Sequence, residues 1–357
     1  TKDTVFDIGS NTKDFTKLAI LQLAGQKKLN LSDPITKFFD KVPTDKAVIT
    51  IQQLLNHTAG IGMYAGRDDE KITKEEFLQR VLSAPLIAEP GKEENYSNPG
   101  YGLLAAIVEK LSGQTYEQYI TEHIFKPAEM TTTGYALPQW KDGQIARSYQ
   151  NDNEQPSTFD LPHLPDGNSW SLRGNGGTLS TLGDMYKFNL ALERGQLLPP
   201  DSPATLFSLN DPITLVGGNG VHYFVYLREP ATRLVILIAT TEAGLRATEL
   251  ERPLVALALG RDVTIPPAVT RMDAATLSKF AGTYTVPPDA ELNVAVKGER
   301  LLVAGINQAG FNLLAGSKRG NRRPARQELR VIRRDRHHRR LCQRGAQLGQ
   351  HLGLGGG

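Results

Sequence analysis

The stretch NTKDFTKLAILQLAG, residues 11–25, constrains the fold more than any other. On a helix of 3.6 residues per turn, Phe15, Leu18, Ala19 and Leu23 form one apolar stripe, and Ile20 and Leu21 fill most of the remaining surface. A helix apolar nearly all round has no face to offer water, so it must lie inside a sizeable core with other elements on every side. The pattern predicts this helix over about Asn11 to Ala24, with Gly25 as its stop. A chain of 357 residues can build such a core, and 39% hydrophobic residues with 34 Gly and 21 Pro fit a loop-rich globular protein. No apolar run approaches the roughly 18 to 20 residues of a membrane-spanning helix.

Further elements follow from periodicity and punctuation. A short helix is expected within ITIQQLLNHTAGI, another over Thr73 to Leu82, a third over Gly102 to Leu111 and helical character over 115–130. Pro90-Gly91 and Pro99-Gly100 bracket a segment that reads as an exposed loop carrying Tyr96-Ser97-Asn98. From Thr131 to Trp170 the pattern dissolves into polar, proline-rich loops that suit a cover over a site. Order returns with a Gly-rich turn, a helix from Leu182 to Glu193, a hairpin of strands His222 to Arg228 and Arg233 to Ala239, and a helix over 245–259. Alternation with closely spaced turns places a second, β unit at 271–317.

Charge is distributed unevenly. Residues 318–357 hold 12 of the 41 Lys and Arg with only two acids, leaving the body with 29 bases against 36 acids. An acidic body argues against a nucleic-acid partner. The basic tail reads either as an arm for polyanions or, preferably, as a non-native end, because the β alternation stops without closing strands. The single cysteine, Cys342, lies in that tail, which excludes an internal disulfide and leaves no thiol in the body for catalysis or metal binding. No metal or organic cofactor is implied.

Ser10 and Lys13 stand at i and i+3, so a helix brings both side chains to one face a turn apart. An amine beside a hydroxyl, where the ammonium form is disfavoured, can accept the hydroxyl proton and create a nucleophile. The helix N-terminus adds free N–H groups, Ser10's own included, for a developing oxyanion. By itself this spacing recurs by chance and reads more readily as an N-cap serine with a solvated lysine.

The order of FDIGSNTKDFT, LLNHTAGI at 54–61, YSN at 96–98 and GNGGTLSTLGDMYKF at 174–188 is more specific. Over about residues 1–245 the chain resembles serine hydrolases of the class C β-lactamase, penicillin-binding protein and family VIII esterase group, whose SxxK signature is shared here. The resemblance implies that Ser10 is the nucleophile, Lys13 its base partner, Tyr96 the tyrosine relaying the proton and Asn98 the group that holds the substrate amide. A phenol beside an amine can share one proton with it, which agrees with that role. His57 invites a Ser/His/Asp reading, yet in this family the HTAG turn is structural. Gly176 and Gly177 suit tight backbone approach rather than phosphate binding, since no P-loop lysine follows.

The family also carries Lys or His, any residue, then Gly on a strand lining the site, and that strand's backbone gives the second oxyanion N–H. Here the strand is ITLVGGNGVHYFVYL, and the basic position falls on Leu215 or Gly217. Gly217 and Gly218 are therefore expected at the substrate, with His222 as a stand-in for the missing base. The resemblance implies an α/β (α+β) fold in which an antiparallel sheet is flanked by helices and carries a helical subdomain. Expected units are 1–260, a truncated β domain at 271–317 and a tail at 318–357, and the strands that usually precede the SxxK helix are expected to be missing. The expected activity is acyl-enzyme hydrolysis of D-aminoacyl peptides or short-chain esters, with β-lactams as poor substrates or acylating inhibitors. A catalytically impaired penicillin-binding or peptidoglycan-sensing module is the alternative. Partners are small-molecule or peptide substrates, cell-wall peptides among them, and the location implied by the family is periplasmic or extracellular.

Overall fold

The computed structural model describes residues 1–331 apart from 137, 142, 151–152, 156–159, 161–162, 166, 199–212, 219–221, 242–246, 264–272, 287–289, 298–299, 306–310 and 317–327. It divides into two compact units, Thr1–Asp262 and Val263–Gly357.

The first unit opens with strand β1 (Val5–Asp7), passes through a 3-10 turn at Gly9–Asn11 and enters α1 (Thr12–Gly25). Helices α2 (Ile51–Leu55), α3 (Lys74–Ser83), α4 (Asn98–Ser112) and α5 (Tyr116–Ile120) follow. Three of them begin with a capping box, Thr50 with Gln53, Thr73 with Glu76 and Thr115 with Gln118, in which threonine hydroxyl and N3 side chain satisfy each other's free N–H groups. A π-helical turn, Thr121–Phe125, continues α5, so the helical character expected over 115–130 is a short helix with a wider turn.

Two small hairpins come next, β2 (Ser148–Gln150) with β3 (Asn153–Gln155) and β4 (His163–Leu164) with β5 (Gly167–Asn168). Strand β6 (Leu179–Thr181) pairs antiparallel with β1 and leads directly into α6 (Leu182–Glu193). Strands β7 (Ile213–Gly218), β8 (Tyr223–Glu229) and β9 (Leu234–Thr240) form an antiparallel sheet in that order, and α7 (Ala247–Ala258) ends the unit. Between β8 and β9, Arg233 adopts φ +54, so the turn takes a left-handed residue without glycine.

Helix α1 is the centre of this unit. Phe15, Leu18, Ala19, Ile20, Leu21 and Leu23 are all fully buried. Phe15 meets Phe125 and Phe188 edge to face at 4.9 and 5.1 Å, a geometry favoured by the ring quadrupoles. Polar side chains on the same helix are satisfied inward: Gln22 Nε2 donates to the carbonyls of Leu197 (2.7 Å) and His123 (3.1 Å).

The start of α4 departs from the expected loop. Ser97 caps it by accepting from Gly100 N–H at 3.0 Å, and Asn98 is already helical. Pro99 is compatible with a first turn because no N–H is needed there, so the Pro-Gly pair marks a helix entrance and not a break.

In the second unit α8 (Ala274–Ser278) packs on an antiparallel sheet of β10 (Gly282–Val286), β11 (Ala290–Lys297), β12 (Arg300–Gly305), β13 (Phe311–Gly316) and β14 (Glu328–Val331), with Leu277, Val294 and Leu301 buried. The last strand arises beyond the expected boundary at 317: ELRV retains an apolar alternation among the arginines and pairs Leu313 with Val331. The rest of the basic tail lies outside the described residues.

The burial of α1 sets a stability expectation. Phe15→Ala removes a ring held by two others and should cost about 3–5 kcal/mol, read as a lower denaturant midpoint for the first unit.

Candidate active site

The 3-10 turn before α1 lies against β7. Gly9 sits at φ +52, and a Cβ there would fall 2.3 Å from Gly218 N; a Cβ on Gly217 would fall 1.9 Å from Ile8 O and 2.8 Å from Ser10 N. The approach is possible only with glycine on both sides. Asn11 fixes the same turn from inside, its Nδ2 donating to Ile8 O (2.8 Å) and to Phe224 O on β8 (3.3 Å).

On this turn Ser10 Oγ is 2.6 Å from Tyr96 Oη and accepts from Lys13 Nζ at 3.0 Å. Lys13 is only 6% exposed. Its Nζ also donates to Asn175 O at 2.5 Å and lies 4.8 Å from the centre of the Tyr96 ring and 5.7 Å from that of Tyr101. Ser10, Lys13 and Tyr96, expected together, are therefore in direct contact. Asn98 is the next residue but one, its N–H donating to Met63 O at 3.2 Å and its Oδ1 buried without a hydrogen bond.

Tyr96 is held by His57. The imidazole stacks on the Tyr96 ring at 4.5 Å and the Tyr101 ring at 5.0 Å, and its Nδ1 accepts the Ser97 N–H at 3.0 Å. His57 O accepts from Asn95 N at 2.7 Å. The residue sits in the left-handed region at φ +58, a conformation that costs a non-glycine residue about 1–2 kcal/mol. Burial, then Lys13 and Lys17, push its pKa from 6.5 down to about 4, keeping Nδ1 free to accept. His57 is thus a scaffold for the tyrosine, and its ring bonds the Ser97 backbone rather than Ser10 or Lys13.

The carbonyl under Lys13 belongs to a tightly bound turn. Gly174 O accepts from Thr16 Oγ1 at 2.6 Å and Gly174 N donates to Tyr135 Oη at 3.0 Å. Gly174, at φ +79, brings backbone where a Cβ would strike Ala105 at 2.6 Å. The sequence points to Gly176 and Gly177 for close approach. Gly177 does take a left-handed φ of +75, but Gly176 needs neither feature, and Gly174 carries the approach.

One expectation on the sheet side is corrected. His222 does not stand in for the missing base: it is fully buried next to Asp7, and desolvation lowers its pKa, so it presents neither surface nor ready charge to a substrate. Leu215 packs on the main core, and β7 carries no basic residue. Gly217 and Gly218 are at the Ser10 turn, where their closeness is steric. Among the described residues no group of three or more His, Cys, Asp or Glu could hold a metal, and no helix is long and apolar enough to cross a membrane.

Compared with known families, residues 1–221 match the Beta-lactamase model. The chain belongs to that family. It is 34% identical over 205 residues to the putative penicillin-binding protein PbpX of Bacillus subtilis (strain 168), an alignment covering 57% of this chain and 50% of that protein. Protein flp of Staphylococcus aureus (strain MW2) is 36% identical over 175 residues, 47% of this chain and 34% of that protein. The chain spans half or less of the length of these relatives.

Solved structures agree on the fold. The octameric penicillin-binding protein homologue from Pyrococcus abyssi superposes with TM-score 0.64 at 23% identity, covering 93% of this chain and 86% of that one. D-amino acid amidase from Ochrobactrum anthropi SV3, complexed with L-phenylalanine, gives 0.61 at 22%, covering 73% and 86%. The β-lactamase fold, with helices about an antiparallel sheet, is therefore established for the first unit.

Two outcomes are expected from this geometry. Gly217→Ala should cost about 1–3 kcal/mol by overpacking, whereas Gly62→Ala, whose Cβ would meet only Ile87 Cγ2 at 3.9 Å, should stay within about 0.5 kcal/mol in the same unfolding assay. For His57, the depressed pKa makes its contribution to stability complete above pH 6.5 and progressively lost as pH falls toward 4, because the unfolded chain takes the proton first. Asp14, fully buried and pushed up to about 6 by burial against the pull of Lys17, Arg228 and Lys13, acts in the opposite sense, losing stability as pH rises from 3.8 through 6. The difference between wild type and His57→Gln cancels Asp14, and that difference should shrink as pH falls from 6.5 to 4.

Proposed function

We propose that the protein is a serine hydrolase that works through an acyl-enzyme on Ser10. One observation carries this reading: Ser10 Oγ lies 2.6 Å from Tyr96 Oη and 3.0 Å from Lys13 Nζ. In the forward step Oγ bonds to the substrate carbonyl carbon while the Oγ proton passes to the Lys13 and Tyr96 pair. The amine or alkoxide then departs with that proton as the C–N or C–O bond breaks. Water reverses the sequence, releasing the acid and restoring the hydroxyl. Ser10 N–H and a backbone N–H of the Gly217–Gly218 pair take the oxyanion, and Asn98 binds the substrate amide.

Substrates are small amide or ester carbonyls, D-aminoacyl peptides or short-chain esters. Support comes from the family, from a relative named as a penicillin-binding protein and from a structural neighbour that is a D-amino acid amidase. The absence of a basic side chain on β7 disfavours β-lactams and other carboxylate-bearing molecules as good substrates. The same absence is the observation behind a second reading, a penicillin-binding module impaired in turnover. The penicillin-binding relative supports a periplasmic or extracellular setting.

Intact-mass analysis after exposure to a fluorescent penicillin and to a fluorophosphonate decides between them. Labelling at Ser10 that vanishes in Ser10→Ala, with the penicilloyl adduct decaying over time, is expected of the hydrolase, while a permanent adduct identifies the impaired module. Tyr96→Phe and Lys13→Ala should each slow acylation by about 10²–10⁴. Folded protein that neither probe labels overturns the reading.

A further inference from the structure

The peptide that carries the Ser10 N–H follows directly on a glycine. Gly9 stands at φ +52 in a turn so close to β7 that a Cβ would fall 2.3 Å from Gly218 N and 2.8 Å from Gly217 C. Glycine fits there, and it is also the residue least able to hold one conformation by itself. The direction of the Ser10 N–H is therefore set by whatever holds Gly9. Among the described residues that N–H has no hydrogen-bond acceptor in the protein, which leaves it for a substrate oxygen.

The preceding peptide, Ile8–Gly9, is clamped at both polar ends. Ile8 O accepts from Asn11 Nδ2 at 2.8 Å and from Asn11 N at 3.2 Å. Gly9 N donates to Asp7 Oδ1 at 2.6 Å. Asp7 is itself anchored, since it ends β1, pairs with Leu179 on β6 and is 2% exposed. Ile8 N donates to Thr178 O at 3.0 Å, so the chain is held from β1 as far as the Gly9 nitrogen. Beyond it, Gly9 O accepts from Thr12 N. An ionised acceptor makes the shorter and stronger kind of N–H bond. Taking a carboxylate out of water is costly, and packing alone does not account for one at this place.

We propose that Asp7 is the positioning residue of the oxyanion site: by holding the Gly9 N–H it keeps Gly9 in its left-handed form and so aims the Ser10 N–H at the substrate carbonyl oxygen before Oγ attacks. The assignment rests on the hydrolase reading above. Donors already in place stabilise an oxyanion because they need no reorientation as its charge develops. Without Asp7 the donor survives and its aim is lost, so the deficit falls on the tetrahedral species and not on substrate binding.

The test follows the pre-steady-state burst of p-nitrophenyl acetate, which separates the acylation rate constant from the half-saturating concentration, with active sites counted by the final extent of fluorophosphonate labelling. Inhibition by phenylboronic acid is measured beside it, because a tetrahedral boronate on Ser10 puts an oxygen where the oxyanion forms. Asp7→Ala should lower acylation per site by about 10–10²-fold with half-saturation within about twofold, less than the 10²–10³ that loss of a whole donor costs, and should weaken the boronate by a similar factor. Asp7→Asn keeps Oδ1 as an acceptor while removing the charge that His222 feels, and should stay within about threefold of wild type. Asp7→Leu takes the place of Asp7→Ala if that variant does not fold. Unchanged acylation per site, a loss confined to half-saturation, or Asp7→Asn falling as far as the apolar variant overturns the assignment. So does failure of both apolar variants to fold, which makes Asp7 a folding residue. Ser10→Ala separates the two failures: Ser10-dependent turnover indifferent to Asp7 sinks only the role of Asp7, whereas turnover unaffected by Ser10→Ala sinks the hydrolase reading.

Discussion

An amine placed inside an apolar core has to be given partners, and most of the first unit can be read as the means of supplying them to Lys13. At 6% exposure its Nζ has lost nearly all contact with water, and replaces it with Asn175 O, Ser10 Oγ and the faces of two tyrosines. Asn175 O is held where it is because Thr16 and Tyr135 bind the preceding glycine and because Arg173 bonds Asn168 O and reaches Glu109 on α4. Thr16 is itself bonded to Tyr116 Oη on α5 at 2.5 Å. Three helices thus converge on one carbonyl, and the sheet, through Gly217, closes the other side of the serine.

How much of this can be read from sequence depends on whether a residue's task is local. Helix α1 is legible because its apolar residues leave no polar face, and the hairpin of β8 and β9 because alternation and a Pro-containing turn are both short-range signals. The entrance to α4 misleads: Pro99-Gly100 looks like a break until Ser97 is seen capping the helix, a bond that depends on how the turn docks on Gly62. His222 lies close to the expected position along the chain, yet its side chain points into the fold beside Asp7, a matter of strand orientation that spacing does not encode. Which glycine of GNGG makes the close approach is decided by Ala105, far away in sequence. The role of His57 is likewise hidden, because it consists of a left-handed backbone, two stacked rings and one N–H from a distant loop.

Conserving a fold while altering the charges around its nucleophile is a common way for one scaffold to serve different substrates. Here the contacts that bring Ser10, Lys13 and Tyr96 together use no side chain of β7.

Ser10 and Lys13 belong to one turn of backbone, so their separation is an internal property of a buried helix entrance. Tyr96 comes from the approach to α4, so its distance to Ser10 is a property of how two helices sit together. Thermal breathing of the core therefore acts unequally on the two contacts. It leaves Ser10 with Lys13 and modulates the contact with Tyr96, so that in the proposed mechanism proton delivery to the leaving group is the temperature-sensitive part of the cycle.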